Sequence, residues 1–532
     1  MNLFKKNTFI IFCLVILSVA NAQERKQFTN PILPGFHPDP SICRVGNDYY
    51  LATSSFEFWS GIPVFHSTDL VNWQQVGHCI TRKSQADLTN VASSDGLWAP
   101  TLRYNKGKFY MVVSSVQRSP WKCTNFYVTA EKPEGPWSEP IIVEQNTGID
   151  PDLFFDDNGK CYYARNDHNG ILAAEIDIAT GRLLTPFHLL WAGTGAPYPE
   201  APHIYKKDGW YYLLIAEGGT GAYHRATIAR SKSVFGEYEA YPQNPILNHT
   251  NRFMHPIQCT GHGDFVQAQD GSWWFVFLAK RSLAFESFNS VLGRETFLSP
   301  AEWKENEWPV IGNNGTVEMK MKAPAFFQDK IMDEDFNDDF SSGKLGLDWN
   351  YLRNPVEENY SLKTNPGYLS LRGTELNLND LKSPTFIGVR QKHFNCTVIT
   401  TIIFKPNAEN EEAGLTVYAE NKRHYDIALT KRGTQNIIAL KAYLGSISGQ
   451  PVEKVVKSEK IQLCVKATET MYKFYFSEEG KPFEFLGEFE AKYLESPQYT
   501  GAYFGLFATG NGYECSQMAL FDNFIYSTST SK

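Results

Sequence analysis

The chain has 532 residues, 14% of them aromatic, and carries 50 Lys and Arg against 58 Asp and Glu for a formal charge of −8. That length exceeds what one hydrophobic core serves and predicts two or more domains. With no basic stripe, nucleic acid and anionic membrane surfaces are poor partners.

The first element in chain order is a leader. Lys5-Lys6 precede an apolar run from Phe9 to Ala20, and Ala20-Asn21-Ala22 places small residues just before Gln23. This is the layout of a cleaved secretory signal over residues 1–22. It predicts an exported protein, periplasmic or extracellular, with no membrane attachment once the signal is gone. The competing reading, a membrane anchor, is disfavoured because the run is short for a span and no other segment reaches about 18 apolar residues. Cleavage removes Lys5 and Lys6 and takes the charge to about −10. Eight Cys then remain, without CxxC spacing, which argues against a zinc site. Most sit in strand-like runs and read as small buried apolar residues.

Residues 27–318 repeat one phrase five times, at intervals of roughly 50 to 60 residues. Each copy has a polar or aromatic head, a Pro or Gly, an apolar residue, a turn, and then paired aromatics. The copies open at Asp39-Pro40, Trp98-Ala99-Pro100, Asp150-Pro151, Glu200-Ala201-Pro202 and His262-Gly263. Their aromatic pairs are Tyr49-Tyr50, Phe109-Tyr110, Tyr162-Tyr163, Tyr211-Tyr212 and Trp273-Trp274. Five closing segments recur in phase: Asp69 to Trp73, Glu134 to Trp137, Gly181 to Leu184, Phe235 to Tyr238 and Ala301 to Trp303. A strand-rich, hairpin-centred repeat of this period predicts a five-bladed β-propeller. After the linker-like Lys322-Ala323-Pro324 the repeat stops. Residues 331–527 carry alternating strand text without the period, as in Thr397 to Phe404, and predict a β-sandwich. The fold class is all-β throughout, ending in a polar tail from Ser527 to Lys532.

Propeller inner strands line a central channel, so the five heads Asp39, Trp98, Asp150, Glu200 and His262 should meet near one axis. Each has an ordinary reading when taken alone. Asp39 and Asp150 precede Pro, as turn residues do; His262 between glycines could cap a turn; Trp98 could fill the channel. Their common phase favours a shared pocket. Three carboxylates converging with aromatics suit glycosidic bond cleavage, which needs one protonated carboxyl and one ionised carboxyl. A third negative group beside the acid would raise its pKa. The register is imperfect: aligned on the Pro or Gly, Trp98 and Glu200 lie one residue early, so Glu200 needs a local bend to point inward. A non-catalytic, lectin-like sugar-binding propeller is the alternative; it has no use for the intact carboxylate trio.

Several motifs resemble glycoside hydrolase family 43. They include Asn30 to Ser41, Ser55 to Trp59, His66 to Trp73, Gly96 to Pro100, Gly148 to Phe154, Glu200 to His203, Glu217 to Thr220 and Leu292 to Glu295. Ser383-Pro384-Thr385 and Glu412 to Leu415 resemble the sandwich of the β-xylosidase and α-L-arabinofuranosidase branch. The resemblance implies an inverting enzyme that removes terminal xylose from β-1,4-xylo-oligosaccharides, with α-L-arabinofuranosidase activity also within its range. It implies Asp39 as general base, Glu200 as general acid and Asp150 as the group that raises and orients Glu200. Phe56 and Trp98 would line the terminal sugar site, and Arg294 would bind sugar hydroxyls. His262 sits where family members sometimes have a cation, so a structural ion such as calcium has a place there, although no cofactor is required. The substrate partner is then a xylo-oligosaccharide or an arabinose-substituted one, and homo-oligomerisation stays open. The family often has Asp after Trp-Ala-Pro, where this chain has Thr101; that departure bears on linkage preference. The sandwich is expected to pack on and close the pocket rather than bind sugar itself.

Overall fold

The computed structural model describes residues 26–145, 147–282, 288–329, 334–495 and 499–528. The predicted leader, residues 1–22, lies outside them. Among the described residues there is no α-helix, only two short 3-10 turns.

Five antiparallel sheets of four or five strands form the blades of a propeller. Their inner strands are Ser41–Val45, Gly96–Asn105, Asp152–Phe155, Glu200–Lys207 and Ile257–Gln267. Each predicted turn joins an inner strand to the strand that carries the aromatic pair. The closing segments lie at or beside the passage from third to fourth strand. A middle strand such as Trp210–Glu217 is apolar on both faces because each blade is flanked on both sides. Separate apolar clusters fill the gaps between blades. Ile80 meets Met111 between blades I and II, Tyr127 meets Leu153 between II and III, and Ala173 meets Leu213 between III and IV. Leu214 meets Phe277 between blades IV and V. Ile42, Tyr49, Val276 and Met321 close the ring between V and I. The closure is stitched by Gln27–Thr29 pairing with Lys320–Lys322 and by Asn30, whose side chain bonds both main-chain groups of Leu298.

The remainder forms two eight-stranded antiparallel sheets packed face to face over a large apolar core. One of them takes in a propeller strand: Phe58–Trp59 pairs with Asn350–Leu352. The junction has a core of its own, in which Phe36, Phe56, Phe58 and Trp98 meet Leu352, Phe386 and Tyr503. Phe58 stacks on Tyr503 at 4.0 Å between centroids. Burying such a ring contributes about 1.5–3 kcal/mol. Fully buried Arg353 bonds Val91 O and Lys382 O across the junction. Gly293 and Gly501 touch backbone to backbone, where an added Cβ at Gly293 would fall 2.8 Å from the Gly501 nitrogen. The eight Cys of the described residues are all free and mostly buried.

Candidate active site

The heads enter the channel on strained backbone. The residue before the Pro or Gly is left-handed in every blade: φ is +55° at Asp39, +43° at Ala99, +57° at Asp150, +53° at Ala201 and +42° at His262. That conformation costs a non-glycine residue on the order of 1–3 kcal/mol and persists only where neighbours over-determine it. The strand ladders break at the same places, between Trp98 and Thr101, between Glu200 and His203, and on both sides of Gly261. In blades I, III and V the left-handed residue is itself the head. In blades II and IV it is an Ala, and the head precedes it. The bulge thus absorbs the one-residue offset of Trp98 and Glu200. Two heads lie inside their strands, Trp98 in Gly96–Asn105 and His262 in Ile257–Gln267, where bulges interrupt the ladder.

One cavity of about 80 Å³ is lined by Asp39, Phe56, Trp98, Asp150, Glu200, His262 and Arg294, with Ala99, Ile149, Thr220 and Tyr499 completing it. A larger cavity of about 650 Å³ lies against the outer side of blade I and the sandwich, away from this carboxylate trio. Phe56, Trp98 and Tyr499 form an aromatic corner, with centroids 5.2–5.9 Å apart. The Arg294 guanidinium lies over Phe56 and Tyr499 at 5.5 and 5.4 Å. Trp98 is locked by its indole N–H donating to Ser94 O at 3.0 Å.

The carboxyls have different surroundings. Asp39 accepts from Arg294 Nη1 at 2.9 Å and from Ser54 Oγ at 2.5 Å, with His262 Nδ1 3.5 Å away. Burial by itself would raise its pKa, but Arg294, His262 and the Ser54 bond outweigh that and hold it below the ordinary value. Asp150 accepts the backbone N–H of Ala201, the residue after Glu200, at 3.1 Å. Its pKa is raised, by burial first and then by the Asp39 charge. Glu200 is raised well above its ordinary value, by burial first, then by Asp150 and Asp39. His262 is pushed down to about 4 by burial and stays neutral at pH 7. A carboxylate held ionised and a carboxyl held protonated can, in one pocket, accept a proton from water and donate one to a leaving oxygen.

A second tier lies just beyond, two to five residues along the inner strands from the heads. Arg103 reaches Asp152 at 2.8 Å, Asp264 at 2.7 Å and His203 Nδ1 at 2.8 Å. Ser41 and Tyr205 also donate to Asp264. This guanidinium ties all five blades together. Beside His262, where a cation was expected, Asp39 is bonded by Arg294 and Ser54, and Arg103 pairs with Asp152 and Asp264. Among the described residues no group of three or more His, Cys, Asp or Glu could hold a metal.

Three contributors were not predicted from the sequence. Tyr499 comes from the sandwich, remote in sequence from every head, and no local motif marks it. Ser54 orients Asp39 and also accepts the Ala99 N–H at 2.7 Å; its position just before the Ser55 to Trp59 motif was the available signal. Arg103 reads in the sequence as an exposed strand residue.

Residues 28–309 match the model of the glycosyl hydrolases family 43. The chain belongs to that family. Residues 337–527 match the β-xylosidase C-terminal concanavalin A-like domain. Among family 43 relatives, the chain is 40% identical to the non-reducing end α-L-arabinofuranosidase BoGH43B of Bacteroides ovatus, over 98% of this chain and 99% of the relative. It is 36% identical to the xylosidase/arabinosidase 43B of Humicola insolens, over 94% of this chain and 97% of that one. The structure of the xylan β-1,4-xylosidase from Bacillus halodurans superposes with a TM-score of 0.89 at 33% identity, covering 94% of this chain and 99% of that chain. The protein is a glycoside hydrolase of family 43, a five-bladed propeller followed by a concanavalin A-like sandwich.

Proposed function

We propose that the protein is an exported exo-glycosidase that removes one terminal xylose at a time from β-1,4-xylo-oligosaccharides, with inversion. The observation that carries the exo reading is the small size of the site: a cavity of about 80 Å³, lined by Phe56, Trp98 and, from the other domain, Tyr499. A site of that size suits one ring at a chain end.

In this reading Asp39 is the general base. Held ionised by Arg294 and Ser54, it takes a proton from a water that attacks the anomeric carbon. Glu200 is the general acid and gives its proton to the glycosidic oxygen as that bond breaks. Asp150 is a positioning residue: its charge supports the raised pKa of Glu200, and its bond to Ala201 N–H fixes the peptide that carries it. Arg294 serves twice, as counter-ion to Asp39 and as a rigid donor fork toward sugar hydroxyls. Neutral His262 is available to hydrogen-bond a hydroxyl.

An α-L-arabinofuranosyl end is the second reading, favoured by the 40% identity to an α-L-arabinofuranosidase. Hydrolysis of aryl β-D-xyloside, aryl α-L-arabinofuranoside and xylobiose, with NMR of the first-formed anomer, tests both. Xylose from xylobiose in the inverted configuration is expected. Cleavage of the arabinofuranoside alone would move the assignment to the second reading, and a retained anomer would contradict the roles of Asp39 and Glu200. Export rests on residues 1–22 and predicts a mature protein beginning at Gln23.

A further inference from the structure

Beside the pocket, next to Glu200, the structure carries an exposed ring that the roles above leave unused. We infer that Tyr198 is a stacking platform for the sugar attached to the departing oxygen, and so a specificity-determining residue of the leaving-group side. The inference rests on the reading of Glu200 as the acid, since the group that protonates the glycosidic oxygen marks the side on which the leaving sugar lies.

Tyr198 precedes Glu200 by two residues and is 69% exposed, whereas the pocket aromatics Phe56 and Trp98 are 2% and 9% exposed. Its ring lies against Gly219: a Cβ built there would sit 3.2 Å from Tyr198 Cδ2. The next residue, Thr220, lines the pocket. The ring therefore sits at the mouth, between the strand that brings in Glu200 and the turn that brings in Thr220. A single exposed Tyr needs no explanation; one on a framework built to hold it there does.

That framework is specific. Gly218 N–H donates to Pro197 O at 2.7 Å. Thr194 donates through its N–H and its hydroxyl to the fully buried Glu217 carboxylate, at 2.8 and 2.9 Å, and Thr227 Oγ1 donates to the same group at 2.8 Å. The segment from Thr194 to Pro197 is thereby fastened to the blade IV hairpin. Tyr198 itself has φ +58°, a left-handed conformation unfavourable for a bulky residue. Backbone strain that presents a ring to solvent instead of burying it is a sign of use at a site. Tyr supplies a flat, rigid face with few rotamers to freeze, which suits stacking on an incoming ring.

The test compares substrates with and without a ring on the leaving side. Tyr198→Ala should lower kcat/KM on xylobiose, or on the disaccharide the wild type prefers, by about tenfold. It should leave kcat/KM on the matching glycosyl fluoride, and the inhibition constant for the free monosaccharide, within about twofold. Tyr198→Gly, which relieves the left-handed strain while removing the ring, should show the same split, and Tyr198→Trp should retain disaccharide activity. An equal loss on fluoride and disaccharide, or no loss on the disaccharide, overturns the proposal. Glu200→Gln distinguishes the underlying reading: if it slows the fluoride as much as the disaccharide, Glu200 is not the acid and the leaving side is misassigned.

Discussion

Asp39 reaches the pocket from blade I, Asp150 and Glu200 from blades III and IV, and the protein surrounds these two walls differently. Asp39 has a guanidinium, a serine hydroxyl and a histidine ring around it. Glu200 has two other carboxyls acting on it, and Arg294, the cation that acts on it, is bonded to Asp39. Burial pushes all three carboxyls toward the neutral form, so burial cannot tell them apart. The difference comes from where one arginine is placed. A pocket can therefore hold a base and an acid side by side by allotting its cation to one wall.

Removing either member should break the comparison most strongly. Asp39→Asn should lower turnover by roughly 10³–10⁴-fold on every substrate, because no leaving group replaces the activation of water. Glu200→Gln should cost about 10²–10³-fold on xylobiose but under about tenfold on an aryl glycoside with an acidic phenol, which leaves without protonation. Steady-state kinetics on the two leaving groups reads both; a uniform loss for Glu200→Gln would count against its role.

Asp150→Asn weakens one wall without removing its acid. It takes away a negative charge that favours protonated Glu200, so the Glu200 pKa falls and the alkaline limb of kcat/KM moves to lower pH. Activity should drop about tenfold to a hundredfold as the grip on Ala201 N–H also changes. An unmoved limb would mean that Asp150 acts on orientation alone.

The smallest effect belongs to the sandwich. Tyr499→Ala opens the aromatic corner and should raise KM by roughly two- to tenfold with little change in kcat. A loss in kcat alone would show that Tyr499 acts on the bond-breaking step instead of on ring binding.

The propeller and its carboxylate trio were legible because each head sits beside a Pro or Gly at a fixed phase. A repeated turn signal states where five strands begin, and the family motifs then state what they carry. The left-handed backbone at Asp39, Ala99, Asp150, Ala201 and His262 was not legible, since nothing in the local propensity of Asp, Ala or His demands it. That is why Glu200 looked out of register: its inward course is made by strain at Ala201, which depends on neighbours in space. Tyr499 and Arg103 were hidden for a related reason. Each acquires its role only through partners on other elements, Tyr499 against Phe56 and Trp98, and Arg103 between Asp152 and Asp264.

The central claim, that Asp39 is ionised while Glu200 is protonated, is tested most directly by the pH dependence of kcat/KM for wild type and Glu200→Gln on an aryl glycoside with a weakly acidic phenol, whose departure needs a proton. The wild type should give a bell, with an acid limb from Asp39 and an alkaline limb from Glu200. The variant should keep the acid limb and lose the alkaline one. An alkaline limb that survives in Glu200→Gln would contradict the account.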